Sequence, residues 1–283
     1  MRRPVYLTLC CLCMVAAIGC DAGGGATAVV DVKVKLSDTE VVVVEPDKTD
    51  GDSAPVGFGS FTGQVVLGGS SGKLPLKVLI EKGAAVKDAE VCSAGPVPNE
   101  LLEVGSDNGV KNVFVYLKKA PKGTDSPVPE EELVFDQKGC RFEPHCMFIR
   151  VGQKVRVKND DGTVHNTHTY PGKNDPFNEL VKSNDREGAP LVYEKAETKP
   201  FNIGCDFHTW MKAYHLVLDH PFAAVTKADG SFEIKNLPAG EHKFIVWHEA
   251  INGSYLTQNL SVTITADTPT NKTITLPLDK LDL

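Results

Sequence analysis

This sequence has no excess of positive charge. Its 30 Lys and Arg residues are outnumbered by 37 Asp and Glu, giving a formal net charge of −7. Nucleic-acid binding, which calls for a basic face, is therefore not expected. After Cys20 no apolar run is long enough to read as a membrane-spanning helix. Long helices are lacking too, because no segment longer than two turns combines helical periodicity with caps. The chain contains no H-E-x-x-H pair and no G-x-x-x-x-G-K-[ST] phosphate loop. Those absences exclude the two corresponding catalytic designs, and no enzymatic activity is expected.

What the chain does have is a compact run of metal donors. Cys205-Asp206-Phe207-His208-Thr209-Trp210-Met211 places a thiol, an imidazole and a thioether at C-x2-H-x2-M spacing. A second imidazole, His165, lies upstream, just after Asn159-Asp160-Asp161-Gly162-Thr163-Val164. Two His, one Cys and a weak axial Met form the ligand set of an electron-transfer copper site. Thiolate and thioether stabilise Cu(I), and imidazoles serve both oxidation states. One copper ion per chain, cycling by one electron, suits that set. The same run also fits a buried Cys, a surface His and a core Met in a loop between strands. Asp160 and Asp161 read as turn carboxylates.

The N-terminus reads as a targeting segment. Arg2 and Arg3 supply positive charge, and Pro4 to Ile18 is largely apolar but short for a membrane span. Ala17-Ile18-Gly19-Cys20 resembles a bacterial lipoprotein processing box. That resemblance implies a signal peptide over residues 1–19, lipid on Cys20 and a membrane-tethered location in the cell envelope, facing the periplasm or the cell surface. Plain secretion with cleavage nearby is the alternative. Losing Arg2 and Arg3 with the signal would lower the formal charge from −7 to −9.

Of the eight cysteines, Cys10, Cys11 and Cys13 would leave with the signal and Cys20 would carry lipid. If Cys205 binds metal, Cys92, Cys140 and Cys146 remain, enough for one intramolecular disulfide in an oxidising envelope. Cys92 with Cys140 is the expected pair; three buried thiols are the other outcome.

From Gly59 onward the pattern is all-β. Phe61–Leu67 reads as a strand ended by Gly68, and Asn112–Leu117 as another. Residues 142–160 alternate around Gly152 and are expected to form a hairpin. Ala224–Ile234 reads as strand, Asp229-Gly230 turn, strand. Residues 236–242 form a further turn into Lys243–Trp247, and Leu260–Ile264 and Thr273–Leu276 follow. Residues 20–58 read as a flexible tether, with β-prone pieces at Val30–Leu36 and Val41–Val44.

The order of strand, His165-Asn166, and C-x2-H-x2-M before a final strand resembles the cupredoxin family of plastocyanin, amicyanin and pseudoazurin. The resemblance covers residues 132–218, and the gap between His208 and Met211 is most like amicyanin. It implies a Greek-key β-barrel or sandwich holding one type 1 copper. His165, Cys205 and His208 would lie in the ligand plane, with Met211 as axial donor and Asn166 bracing the ligand loops. His168 lies three residues on and would face the other way, as a surface histidine or a ligand in an additional site. The family also implies an exposed ring edge on His208, with Phe207 and Trp210 as docking residues for a redox partner such as a cytochrome or oxidoreductase. The Thr226–Phe232 turn and the strands around it resemble the carboxypeptidase-regulatory-like, transthyretin-like sandwich. Residues 59–125 and 219–283 would form that sandwich, discontinuous in sequence, with the 132–218 copper domain inserted. A sequential layout, an enlarged cupredoxin over 59–218 and a small C-terminal β-domain, competes with it.

His145, His220 and His248 could surround a further metal or serve as hydrogen-bonded structural residues, while His215 and His242 read as exposed. The expected function is an envelope-anchored type 1 copper protein carrying single electrons. The alternatives are an extracytoplasmic binding or adhesion module, and copper storage or delivery. A multicopper oxidase would need further Cys-His motifs, and none is present.

Overall fold

Alternating apolar residues make nearly every regular element of this chain a strand. The computed structural model describes residues 57–69, 74–251 and 255–283, which fall in one compact unit, Gly51–Leu283. The signal segment, Cys20 and the 20–56 part of the tether lie outside the described residues. β1 is Phe58–Gly68 and β2 is Val78–Ile80. A four-residue helix, α1 (Ala89–Cys92), precedes β3 (Val97–Pro98) and β4 (Phe114–Leu117). Next come β5 (Leu133–Gln137), β6 (Phe142–Glu143), β7 (Cys146–Arg150), β8 (Lys154–Val157) and β9 (His165–Thr169). β10 (Asn178–Val181), β11 (Ala189–Val192), β12 (Phe201–Gly204) and β13 (Lys212–Leu218) follow. The chain closes with β14 (Ala223–Val225), β15 (Ser231–Pro238), β16 (Gly240–Trp247), β17 (Thr257–Ile264) and β18 (Pro269–Pro277).

Four larger sheets result. Two, ordered β10-β9-β12-β13-β7 and β11-β8-β5-β6, are built from residues 133–218. The other two, β15-β1-β18 and β14-β4-β16-β17, join strands from before and after that stretch. Thus β4 pairs with β14 and β16, not with the strands between. β1 runs antiparallel to β15 and parallel to β18.

The core follows the alternation. Phe61, Val65, Val115, Phe232, Phe244 and Leu276 fill one cluster between the β1 and β4 sheets. Phe135, Phe142, Ile149, Val155, Ile203, Ala213 and Val217 fill a second one, beneath the donor loop. A third joins the two halves. Phe114, Tyr116, Ile245 and Trp247, on the outer face of the β4 sheet, pack on Leu216, Leu218 and Cys146. The β4 sheet is thus buried on both faces, which explains why Phe114-Val115-Tyr116-Leu117 is apolar throughout rather than alternating. Burying each of these large side chains contributes about 1.5–3 kcal/mol.

Two expectations need correction. β7 and β8 flank the tight turn at Gly152 (φ +80) but do not pair as a hairpin. β7 joins β13 and β8 joins β5 and β11, so the chain crosses from one sheet to the other at that turn. The same happens at Asp229-Gly230: β14 pairs with β4 and β15 with β1. Val86, Val91 and Cys92 pack against the cluster beneath the donor loop, because a disulfide fastens Cys92 to Cys140.

Candidate metal centre

The donors meet at one end of the five-stranded sheet. β12 and β13 are neighbours, and the Cys205–Met211 segment is the loop joining them. His165 opens β9, the strand on the other side of β12. The loop folds back on itself, since the Met211 N–H donates to the His208 carbonyl at 2.8 Å. Cys205, His165, His208 and Met211 are all buried.

Three donor atoms converge. Cys205 Sγ lies 3.9 Å from His165 Nδ1 and 3.7 Å from His208 Nδ1, and the two Nδ1 atoms are 2.9 Å apart. Metal–nitrogen and metal–sulfur bonds of about 2.0–2.3 Å fit nitrogen–sulfur separations of this size. Met211 packs in the same cluster as Cys205.

Both imidazoles are held from behind by carboxylates. Asp161 Oδ2 is 2.9 Å from His165 Nε2, and Asp88 Oδ2 is 2.9 Å from His208 Nε2. Each carboxylate accepts a hydrogen bond from Nε2, which orients the ring and turns Nδ1 toward the thiol. The two Nδ1 atoms and the thiol thus offer three donor atoms to one point. The donor set therefore fits copper by chemistry as well as by spacing.

The electrostatics agree. Burial alone would push the Cys205 thiol up, yet hydrogen bonds from His165, His208 and the backbone of Asn166 and His208 bring it down to about 6. Burial would lower His165, but Asp161 and Cys205 outweigh it and raise it. Asp161 is held below the usual carboxylate range despite its burial, by His165 and by the N–H groups of Cys140 and Gly139. Those two N–H groups donate at 2.8 and 2.6 Å. Cys140 has φ +52, uncommon for a residue with a Cβ and costing about 1–3 kcal/mol. That conformation turns its N–H toward Asp161.

Neighbouring side chains fix the frame. Asn166 Oδ1 accepts the Asp206 N–H at 2.7 Å, and its Nδ2 donates to Asp206 Oδ2 and Asn178 Oδ1. β9, β10 and the donor loop are thereby tied together. Buried Asn159 donates to the carbonyls of Thr163, Val181 and Lys182 and accepts from the Asp161 N–H, shaping the turn that presents Asp161. Asp161 is thus no ordinary turn carboxylate, whereas Asp160 faces outward and pairs with Lys138. Sequence reasoning missed Asp161's role and missed Asp88 altogether. The only available signal was Asp161 four residues before His165.

Other histidines fall elsewhere. His168 Nδ1 meets Asp206 and the Tyr170 hydroxyl. His145 lies between Glu249 at Nε2 and Glu100, 3.6 Å from Nδ1. It borders a pocket of about 280 Å³ shared with Trp210 and Met211. Among the described residues, neither His168 nor His145 stands in a group of three converging His, Cys, Asp or Glu donors. His220 and His248 do not join His145 around one point; each accepts a nearby backbone N–H, from Phe222 and Ala250. His215 is fully buried, not exposed, because it shares the inward face of β13 with Ala213 and Val217; it bonds the Tyr193 hydroxyl. His242 is half-buried and bonds the Pro238 carbonyl. His208 exposes no ring edge: it is fully buried under Asp88. Phe207 is exposed with Lys87 over its ring, and Trp210 donates to the Cys140 carbonyl.

No family model matches this chain, and no curated protein does. Among solved structures it is similar in part to copper proteins. The purple cupredoxin from Nitrosopumilus maritimus is 20% identical over 30% of this chain and 99% of its own, with a TM-score of 0.26. Amicyanin from Paracoccus versutus is 17% identical over 37% of this chain and 97% of its own, with a TM-score of 0.28. The copper-containing nitrite reductase from Thermus scotoductus is 17% identical over 35% of this chain, with a TM-score of 0.28, and this chain spans only 25% of its length.

Proposed function

We propose that this chain is a single-copper electron carrier, with His165, Cys205, His208 and Met211 as the ligands. The observation that carries this reading is the convergence of Cys205 Sγ with the Nδ1 atoms of His165 and His208, each ring braced at Nε2 by a carboxylate. Copper bound there would supply one-electron exchange between Cu(II) and Cu(I). The chain's own residues hold the donors still. Asn166 locks the donor loop to β9, and Asp161 and Asp88 fix both rings. Burial excludes water from the donors, and a frame that keeps its shape lowers the cost of changing the charge at its centre.

The same reading includes a redox partner protein, lipid on Cys20 and an envelope location, all supported by the sequence pattern. It also takes the copper stretch, 132–218, as inserted between the two parts of the host sandwich, supported by the pairing of β4 with β14 and β16. The test is a visible and electron-paramagnetic-resonance spectrum of the copper-loaded, oxidised protein. One copper per chain with an intense thiolate charge-transfer band is the expected result. Colourless binding of several ions per chain would favour copper storage instead.

A further inference from the structure

The two carboxylates that brace the imidazoles come from distant parts of the chain, yet one covalent bond links them. Asp88 immediately precedes α1, whose first turn closes on it: the Val91 and Cys92 N–H groups both donate to the Asp88 carbonyl. Cys92, the last residue of α1, is bonded to Cys140. The Cys140 N–H donates to Asp161, and Asp161 holds His165. At the other end, Asp88 holds His208 and also accepts from the Thr163 hydroxyl at 3.1 Å. The path therefore runs from one donor ring to the other through the disulfide. It also covers the site, because His208 is fully buried although it sits in a surface loop beside exposed Phe207.

We propose that residues 87–92 form a disulfide-stapled cap over His208, in which Asp88 is the positioning residue that fixes the ring and closes it to solvent. The inference rests on the reading of His208 as a metal ligand, but the cap is a property of the polypeptide and can be tested without metal. Three observations carry it. The Asp88 carboxylate reaches Nε2, the ring atom turned away from the other donors, at 2.9 Å. The backbone at Asp88 is left-handed (φ +53), so its position is imposed by its surroundings rather than by local preference. Ser93, buried directly after the staple, donates to the carbonyls of Ala84 and Ala89 and closes the segment on itself. A partner exchanging electrons with this site would meet the cap rather than a bare imidazole edge.

The test is acylation of histidine by diethyl pyrocarbonate in the metal-free protein, mapped by mass spectrometry. In the unaltered protein His208 should react at least tenfold more slowly than half-exposed His168. Asp88→Ala, and separately the double variant Cys92→Ala/Cys140→Ala, should raise His208 labelling by tenfold or more. Asp88→Asn, which keeps an acceptor oxygen, should restore much of the protection. Buried His215 and His248 serve as the folding control: selective gain at His208 reports the cap, whereas equal gain at all three reports unfolding. In that case Asp88→Gly, which suits the left-handed backbone there and still removes the carboxylate, decides the matter: selective gain at His208 supports the cap and no gain overturns it. Labelling of His208 that matches His168 in the unaltered protein, or that none of the variants changes, overturns the proposal. Copper loading separates the two ideas. Protection of His208 without a charge-transfer band keeps the cap and sinks the carrier reading. A band with unprotected His208 does the reverse.

Discussion

Asp161 holds His165 at Nε2 from 2.9 Å, and the same carboxylate is gripped by two consecutive backbone N–H groups, of Gly139 and Cys140. The brace is thus anchored to a different segment from the ligand it orients. Removing such a partner from a metal-bound histidine typically costs 10–100-fold in affinity. Asp161→Ala is expected to weaken copper binding by that factor, read by competition with a chelator of known affinity. Unchanged affinity would mean that β9 alone orients His165.

The thiolate and the thioether should be separable. Cys205→Ala should abolish the charge-transfer band, because only the thiolate supplies that transition. Met211→Leu should retain copper but change the reduction potential, because the axial donor is weak. Potentiometric titration of the Met211 variant checks the second point. Persistence of the band in the Cys205 variant would remove the type 1 assignment.

His145 gives a pH signature of its own. Burial would lower it, but Glu100 and Glu249 outweigh burial and raise it to about 9. Arg141 also pairs with Glu100, and His248 is close enough to be lowered by His145. A group raised on folding contributes stability that is complete below its unfolded value, about 6.5. That contribution is lost as pH rises through about 9. The His145 contribution to the melting temperature should therefore fall between these limits. His145→Gln should flatten that part of the profile, with calorimetry as the readout.

The disulfide closes a loop with a sequence separation of 48. On loop-closure entropy alone, replacing both cysteines with alanine should cost about 4 kcal/mol. Urea unfolding of the Cys92→Ala/Cys140→Ala variant measures it. A loss under about 1 kcal/mol would show that the unfolded chain is already constrained there.

Cys20 is expected to carry lipid when the full chain is made in a bacterial host. Metabolic labelling with a clickable fatty acid checks this. An unmodified N-terminus at Asp21 or beyond would replace the tether with simple secretion.

The donors were legible because ligand spacing in a single loop is a local property, and C-x2-H-x2-M states it in seven residues. Counting thiols limited the chain to one disulfide, and the structure forms it between Cys92 and Cys140, the expected one of three possible pairs. The carboxylate braces were not legible in the same way. Asp88 lies 120 residues from His208, and nothing about one Asp among many marks it as facing an imidazole. Strand positions were readable from alternation, but partners were not. At Gly152 and Gly230 the turn chemistry is that of a hairpin, yet each following strand enters a different sheet. Turn residues set the local reversal; the packing of two faces decides where the chain goes next. His215 could have been placed, since Ala213 and Val217 alternate with it on one buried face.

The parallel ladder between β1 and β18 runs for nine residue pairs, from Ser60 with Pro269 to Gly68 with Pro277. Its two strands are separated by 209 residues in sequence, from Ser60 to Pro269. β1 cannot complete this pairing until that whole stretch has been made. The sheets built from residues 133–218 are complete well before that. Contacts of such long sequence separation slow folding and leave unpaired edges open in the meantime. The ladder thus sets an order of assembly: the donor-bearing half can form first, and the flanking sheets close around it last.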